Sequence, residues 1–386
     1  MAEANVAAAS LFGADGRLCS ADILAPPEVR ARIEVAVLNF LAALASPSSP
    51  AISVLPLISR SSANCSLRSG LLNDVSSVYL SYTFCKRSLT HNPKAFVRGY
   101  HLFLEYPGTE LSSPICLVKI AVCCGIVWKV MEMCYKILGE GKLVQQRELF
   151  YKLLSDSPKY FSCQRHVNQA IQDVVSLLRC TRQSLGVMAS SRGALIGRLV
   201  LHEPDGEQID CSILGASGHA ITGDLNLLSK LNLSSGSRYI IVVEKVHLAS
   251  TEPDISEYAD FRISGLIALI FFSRNPAGLA ILCTYKYGSI SMGLESYRYA
   301  CNVKWLGVRG GDLHLIPEDA FQELKPRDLQ IAKSLMSSKF LQESHRAELA
   351  LMVERGKRAD IEALYSHGFD FLGKYIARKI VQGDYI

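Results

Sequence analysis

The chain has 386 residues, 49% of them hydrophobic and 20% charged, so it is long enough for two or three domains with their own cores and is not composed like a disordered segment. Lysine and arginine outnumber aspartate and glutamate by 41 to 36, a net charge of +5, which permits nucleic-acid binding through local patches without announcing it. The twelve cysteines are scattered, form no CxxC pair and follow no secretory signal, which points to reduced thiols in a nuclear or cytosolic protein rather than a disulfide framework. The runs Ile115–Trp128, interrupted by Lys119, and Gly265–Phe272 fall short of the ~20 apolar residues of a membrane-spanning helix, so we expect a soluble protein without a membrane partner.

After a loose first stretch, Pro26 and Pro27 precede Val29, Ile33, Val37, Phe40, Leu41 and Leu44, spaced as on an amphipathic helix. That helix either packs on its own core or docks on a partner subunit. Residues 75–98 read as strand or short helix, and 99–126 carry neither clean period. From Val127 the pattern becomes orderly. Val127–Lys142 predicts one helix ending at the Gly139–Gly141 turn, Leu143–Ser155 a second, and Cys163–Arg179 a third with Val167, Ile171, Val174, Val175 and Leu178 as its apolar stripe. Two strands then flank a turn at Pro204, Asp205 and Gly206. Three helices and a β-ribbon make a winged-helix arrangement, whose third helix would read a DNA groove with Arg165, His166, Asn168 and Gln169.

A second domain begins near Ile213. Tyr239–Lys245 and Gly265–Phe272 have the unbroken apolar texture of buried parallel strands, with Glu244 at a carboxyl end where ligand-binding groups of open sheets lie. Pro276 and Gly278 punctuate a strand-to-helix turn, and the tail from Pro326 is helical.

The chemistry concentrates in VQQRELFYKLL, Val144–Leu154. Tyr151 follows Arg147 by four residues, so a helix presents phenol and guanidinium on one face. A phenol with a pKa of ~10 needs help to become a nucleophile, and a guanidinium offers a bidentate face to phosphate oxygens, so this pair can attack a phosphodiester. There is no HExxH, the nine histidines show no ligand spacing, and the GEGK at Gly139–Lys142 lacks the remainder of a P-loop.

These motifs resemble the meiotic double-strand-break transesterases related to the A subunit of topoisomerase VI, most closely their plant members. The resemblance rests on QQRELFYKLL around Tyr151, SSRGALIG at Ser190–Gly197, VVEK at Val242–Lys245, NPAGLAILCTYKYGS from Asn275 and YACNVKWLG at Tyr299–Gly307. It implies an α/β (α+β overall) chain: a winged-helix domain, then a Toprim-type parallel-sheet domain with a helical C-terminal tail. The corresponding boundaries are an N-terminal helix and flank over 1–60, the winged-helix domain over 61–205 and the Toprim-like domain over 206–386.

Tyr151 then matches the nucleophile, with Phe150 its non-reactive neighbour, Arg147 the motif arginine and Glu244 the first acid of a Mg2+ site. Arg192, Lys286 and Lys304 become candidate phosphate contacts. The implied partners are double-stranded DNA, a second protomer as homodimer or paralogue heterodimer, and an ATPase-type B-like subunit, in the nucleus. The function expected is topoisomerase-like cleavage that starts meiotic recombination. The alternative is a catalytically impaired DNA-binding and dimerisation subunit of the same complex.

Two stretches depart from the family. From Glu244 to Asn275 there are 275 − 244 = 31 positions, room for one strand-helix crossover of ~30 residues where a Toprim sheet uses two. Ser273 stands where the family has an aspartate and Asn275 holds the next metal position, both weak Mg2+ donors. The segment 99–126 falls between parts that relatives join directly. Each stretch has abrupt edges with intact motifs on both sides, which suggests gene-model or splicing artefacts, a retained intron near 99–126 and lost or altered exons near 246–274.

Overall fold

A computed structural model describes residues 21–45, 56–58, 79–86, 100–104, 114–190, 193–243, 267–289, 292, 294–295, 300–338, 340–368 and 370–386. The chain divides into two compact units, the first comprising 1–192 with 222–226 and 289–297, the second the remainder.

In the first unit, α1 (Pro26–Ala45) starts on its two prolines, which already have helical φ and lack only donors a first turn leaves unused. Val29, Ile33 and Ala36 turn into the core at helical spacing. Antiparallel strands β1 (Pro56–Ile58), β2 (Tyr79–Lys86) and β3 (Tyr100–Leu104) follow. Helix α2 runs from Pro114 to Gly139, thirteen residues further toward the N-terminus than the periodicity predicts. The reason is visible in the sequence: a stretch such as Ile120–Ile126 is apolar throughout, and a helix apolar all round has no period to read.

Short strand β4 (Val144–Gln145) then pairs in parallel with β5 (Val187–Met188). This pairing delays the start of α3 to Gln146–Asp156, where local periodicity alone puts it at Leu143. Helix α4 covers Gln164–Leu178, and the whole expected stripe of Val167, Ile171, Val174, Val175 and Leu178 is buried in the core of this unit. Its C-cap, Arg179, is left-handed at φ 52°, and the Arg32 guanidinium closes the end by donating to the carbonyls of Leu178 at 2.9 Å and Arg179 at 3.3 Å.

The second unit opens with β6 (Ala194–Leu195) and the hairpin β7 (Val200–His202)–β8 (Gln208–Asp210), whose register places Leu201 opposite Ile209 around the expected turn, with Gly206 at φ 94°. Strand β9 (His219–Ala220) pairs with β6, and β10 (Asn232–Ser234) adds to the hairpin through β7, while the single turn α5 (Leu225–Leu228) has its first two residues in the first unit and its last two in the second. This hairpin belongs to the second unit, whereas α2–α4 belong to the first.

The expected parallel sheet forms from β11 (Tyr239–Val243), β12 (Ile267–Phe271) and β13 (Val303–Trp305), in the order β11-β12-β13. Helix α6 (Pro276–Tyr287) follows β12 directly. Beyond β13 come β14 (Gln322–Glu323), α7 (Pro326–Met336), α8 (Glu343–Arg355), β15 (Lys357–Arg358) and α9 (Phe371–Val381), the helical tail the sequence predicts. Cores lie on both faces of the sheet: Ile270, Phe272 and Trp305 gather with α6–α8, Leu269 and Phe271 with Ile361, Leu364 and Tyr375. A lock of Asp312, Tyr375, Lys379, Asp384 and Arg309 ties α9 down, with the Lys379 Nζ 2.6 Å from Asp312.

Candidate active site

Helix α3 buries Leu149 and Leu153 completely and so turns its opposite side outward. Tyr151 stands on that outer side, 54% exposed, and its hydroxyl accepts or donates no hydrogen bond among the described residues. Arg147, one turn earlier, is exposed and has no ion-pair partner among them. Phe150 packs half-buried against the core, its ring centroid 5.3 Å from that of Tyr151. The anchored phenyl ring leaves its neighbour free to meet a ligand. Gln145, Arg147, Glu148, Tyr151, Lys152 and Ser155 line one open depression of about 490 Å³. Sequence spacing finds Arg147 and Tyr151. It misses Gln145, which accepts from the Ser190 hydroxyl at 3.3 Å, and the Lys152–Glu148 ion pair at 3.4 Å. The four-residue step from Glu148 to Lys152 was the available signal.

On α4, Arg165, His166 and Gln169 face solvent while Asn168 is half-buried, its Oδ1 without a partner among the described residues.

In the second unit, Ser273 follows the carboxyl end of β12. It is buried, and its Oγ has no hydrogen-bond partner among the described residues. Asn275 caps α6, its Oδ1 accepting the Gly278 N–H at 2.7 Å. Between them Arg274 is fully buried, its Nε and Nη2 unpartnered among the described residues, and burial pulls its pKa below the usual guanidinium range. Glu244 and Arg192 lie outside the described residues. The described donors near β12 are therefore one orphaned hydroxyl and one amide oxygen already engaged, beside a buried cation. They do not by themselves fit a divalent metal, which wants charged oxygen ligands. Glu203, Asp205 and Glu207 approach within 4.8 Å of one another at the β7–β8 turn, a cluster on a hairpin tip where Asp205 also accepts the Glu207 N–H.

Lys286 and Lys304 share one neighbourhood. Lys286 donates to Gln342 at 2.8 Å, and burial first, then the charge of Lys304, holds its pKa below the ordinary lysine value. Lys304 Nζ lies 5.0 Å over the Tyr385 ring. His345, buried on α8, has its pKa pushed down to about 4, first by burial and then by Lys286.

Residues 124–187, which contain α3 and α4, match the family described as type IIB DNA topoisomerase. Residues 263–380 match the family described as the Toprim domain of Spo11 and the topoisomerase 6 A subunit. Over the whole of both chains the sequence is 68% identical to meiotic recombination protein SPO11-2 of Oryza sativa subsp. indica and 52% identical to SPO11-2 of Arabidopsis thaliana. It is 30% identical to the A3 subunit of DNA topoisomerase 6 of Oryza sativa subsp. indica, over 72% of this chain and 68% of that protein. The rice SPO11-2 alignment runs over 415 positions, so at least 415 − 386 = 29 of them have no counterpart here. The chain belongs to the Spo11 family of meiotic recombination proteins, relatives of the A subunit of topoisomerase VI.

Proposed function

We propose that this chain cleaves duplex DNA by tyrosyl transesterification and thereby forms the double-strand breaks that initiate meiotic recombination, in the nucleus. The observation that carries the reading is an exposed phenol, Tyr151, one helical turn from a guanidinium at Arg147 that has no ion-pair partner among the described residues, in a chain of this family. The phenol oxygen bonds to phosphorus as the ester bond to a strand oxygen breaks, and the phenol's proton is balanced by the one the released hydroxyl gains. The phosphate remains a diester, so the step needs neither water nor ATP and is reversible.

Arg147 binds the phosphate oxygens, stabilises the phenolate and gathers the charge that develops on phosphorus. Phe150 fixes the approach of Tyr151 from the core side. Mg2+, when bound, would supply further charge neutralisation at the phosphate. Glu244 and Ser273 are its candidate holders, with Asn275 beside them. Lys286 and Lys304 serve as phosphate contacts for the flanking duplex, and Arg192 is a third.

One tyrosine cuts one strand, so the break takes two protomers, and the further partner expected is a B-like subunit. The neutral donors at Ser273 and Asn275 favour the second reading, a DNA-binding subunit that does not cut. The two separate on one experiment. Incubated with duplex DNA and Mg2+ and then denatured, the chain is expected to retain a covalent DNA adduct. The adduct should vanish in Tyr151→Phe and fall on the order of 10²-fold in Arg147→Ala. DNA binding with no adduct in any variant selects the second reading.

A further inference from the structure

Helix α3 presents two cations around its tyrosine. Arg147 lies one turn before Tyr151 on the same face; Lys152 lies one residue after it, about 100° around the helix. Both line the depression with the phenol, and so does one carboxylate, Glu148. A negative charge there would repel a polyanion, yet Glu148 sits in the first turn of α3, where the helix dipole favours an acid. Lys152 neutralises it at 3.4 Å, with the lysine and glutamate side chains 42% and 51% exposed. An exposed pair of this kind holds loosely and is screened by salt, so a phosphate displaces it readily. Arg147 needs no such release, having no ion-pair partner among the described residues.

We propose that Lys152 is a second phosphate-binding residue of this depression, held by Glu148 in the free protein and transferred to the DNA phosphate next to the one Tyr151 attacks. The transfer swaps one ion pair for another and leaves Glu148 pointing to water. Arg147 and Lys152 would then grip adjacent phosphates on either side of the phenol and set the register of the strand. The inference deepens the transesterase reading and rests on it for the identity of the attacked phosphate, while the grip itself is read from binding alone.

The test is the salt dependence of binding to a short mixed-sequence DNA duplex by the full chain, made in the Tyr151→Phe background, with adduct yield measured in parallel with Tyr151 intact. Lys152→Met is expected to weaken binding severalfold and to reduce the slope of log K against log salt by about one, and Lys152→Arg to restore both. Glu148→Gln is expected to strengthen binding and raise adduct yield, since it frees the lysine. The two variants break the same ion pair. A role confined to stabilising the helix therefore predicts that they move together, and that result, or binding equal to the parent in both, overturns the proposal. If they move oppositely while the parent forms no Tyr151-dependent adduct, the transesterase reading fails and the phosphate grip stands. A parent chain that does not bind duplex DNA overturns both.

Discussion

His345 and Ser273 show how the interior of the second unit treats polar groups. His345 is 2% exposed, stacks near Trp305 and has its pKa lowered to about 4. Its folded pKa lies below the ordinary 6.5, so the fold requires the neutral ring, and the associated stability is complete above pH ~6.5 and is lost as pH falls toward 4. Urea unfolding from pH 7 to 4 should show this loss, and His345→Phe should flatten it. Ser273 presents the opposite case, a buried hydroxyl with nothing to bond among the described residues. Ser273→Ala is expected to be neutral or stabilising by about 1 kcal/mol, because it removes an unsatisfied group. Ser273→Asp should lower Tm without divalent cation, and recovery of Tm on adding Mg2+ would mark the position as part of a metal site. No Mg2+ effect in Ser273→Asp would remove it from that role.

At the scale of elements, the strand-turn-helix of β12 and α6 explains its own signature. Asn275 is the N-cap, Pro276 the first helical residue, and Gly278 leaves room that a Cβ would not have, 2.2 Å from Phe272 and 2.8 Å from the Ser273 carbonyl. Asn275→Ala should cost about 1 kcal/mol by chemical denaturation, the usual worth of a cap, whereas Asn275→Asp should keep it. This turn was legible in the sequence because caps, prolines and close-packed glycines are local signals. So was α4, whose single stripe has the helical period. The start of α2 was not legible, since apolar residues on every side erase the period, nor was that of α3, which depends on Val144 pairing with Val187, forty-three positions away. The Tyr151–Arg147 face was readable from spacing alone. Arg274 was not, because nothing in a sequence says which arginine goes inside.

For the molecule as a whole, the two units differ in how completely they match their task. The first offers an exposed phenol on a helix anchored by Leu149 and Leu153, beside a guanidinium with no ion-pair partner among the described residues. The second builds a parallel sheet with well-filled cores on both faces, yet the described end of β12 offers a metal only neutral oxygens. Only 31 positions separate Glu244 from Asn275, room for one strand-helix crossover. Family membership is carried by the full chain, and the proposed activity turns on the Tyr151 hydroxyl.

Mass spectrometry of any DNA-linked peptide tests that most directly, after the full chain has been incubated with a B-like subunit, duplex DNA and Mg2+ and both polymers have been digested. The expected product is a nucleotide phosphate esterified to Tyr151. A nucleotide on any other residue contradicts it.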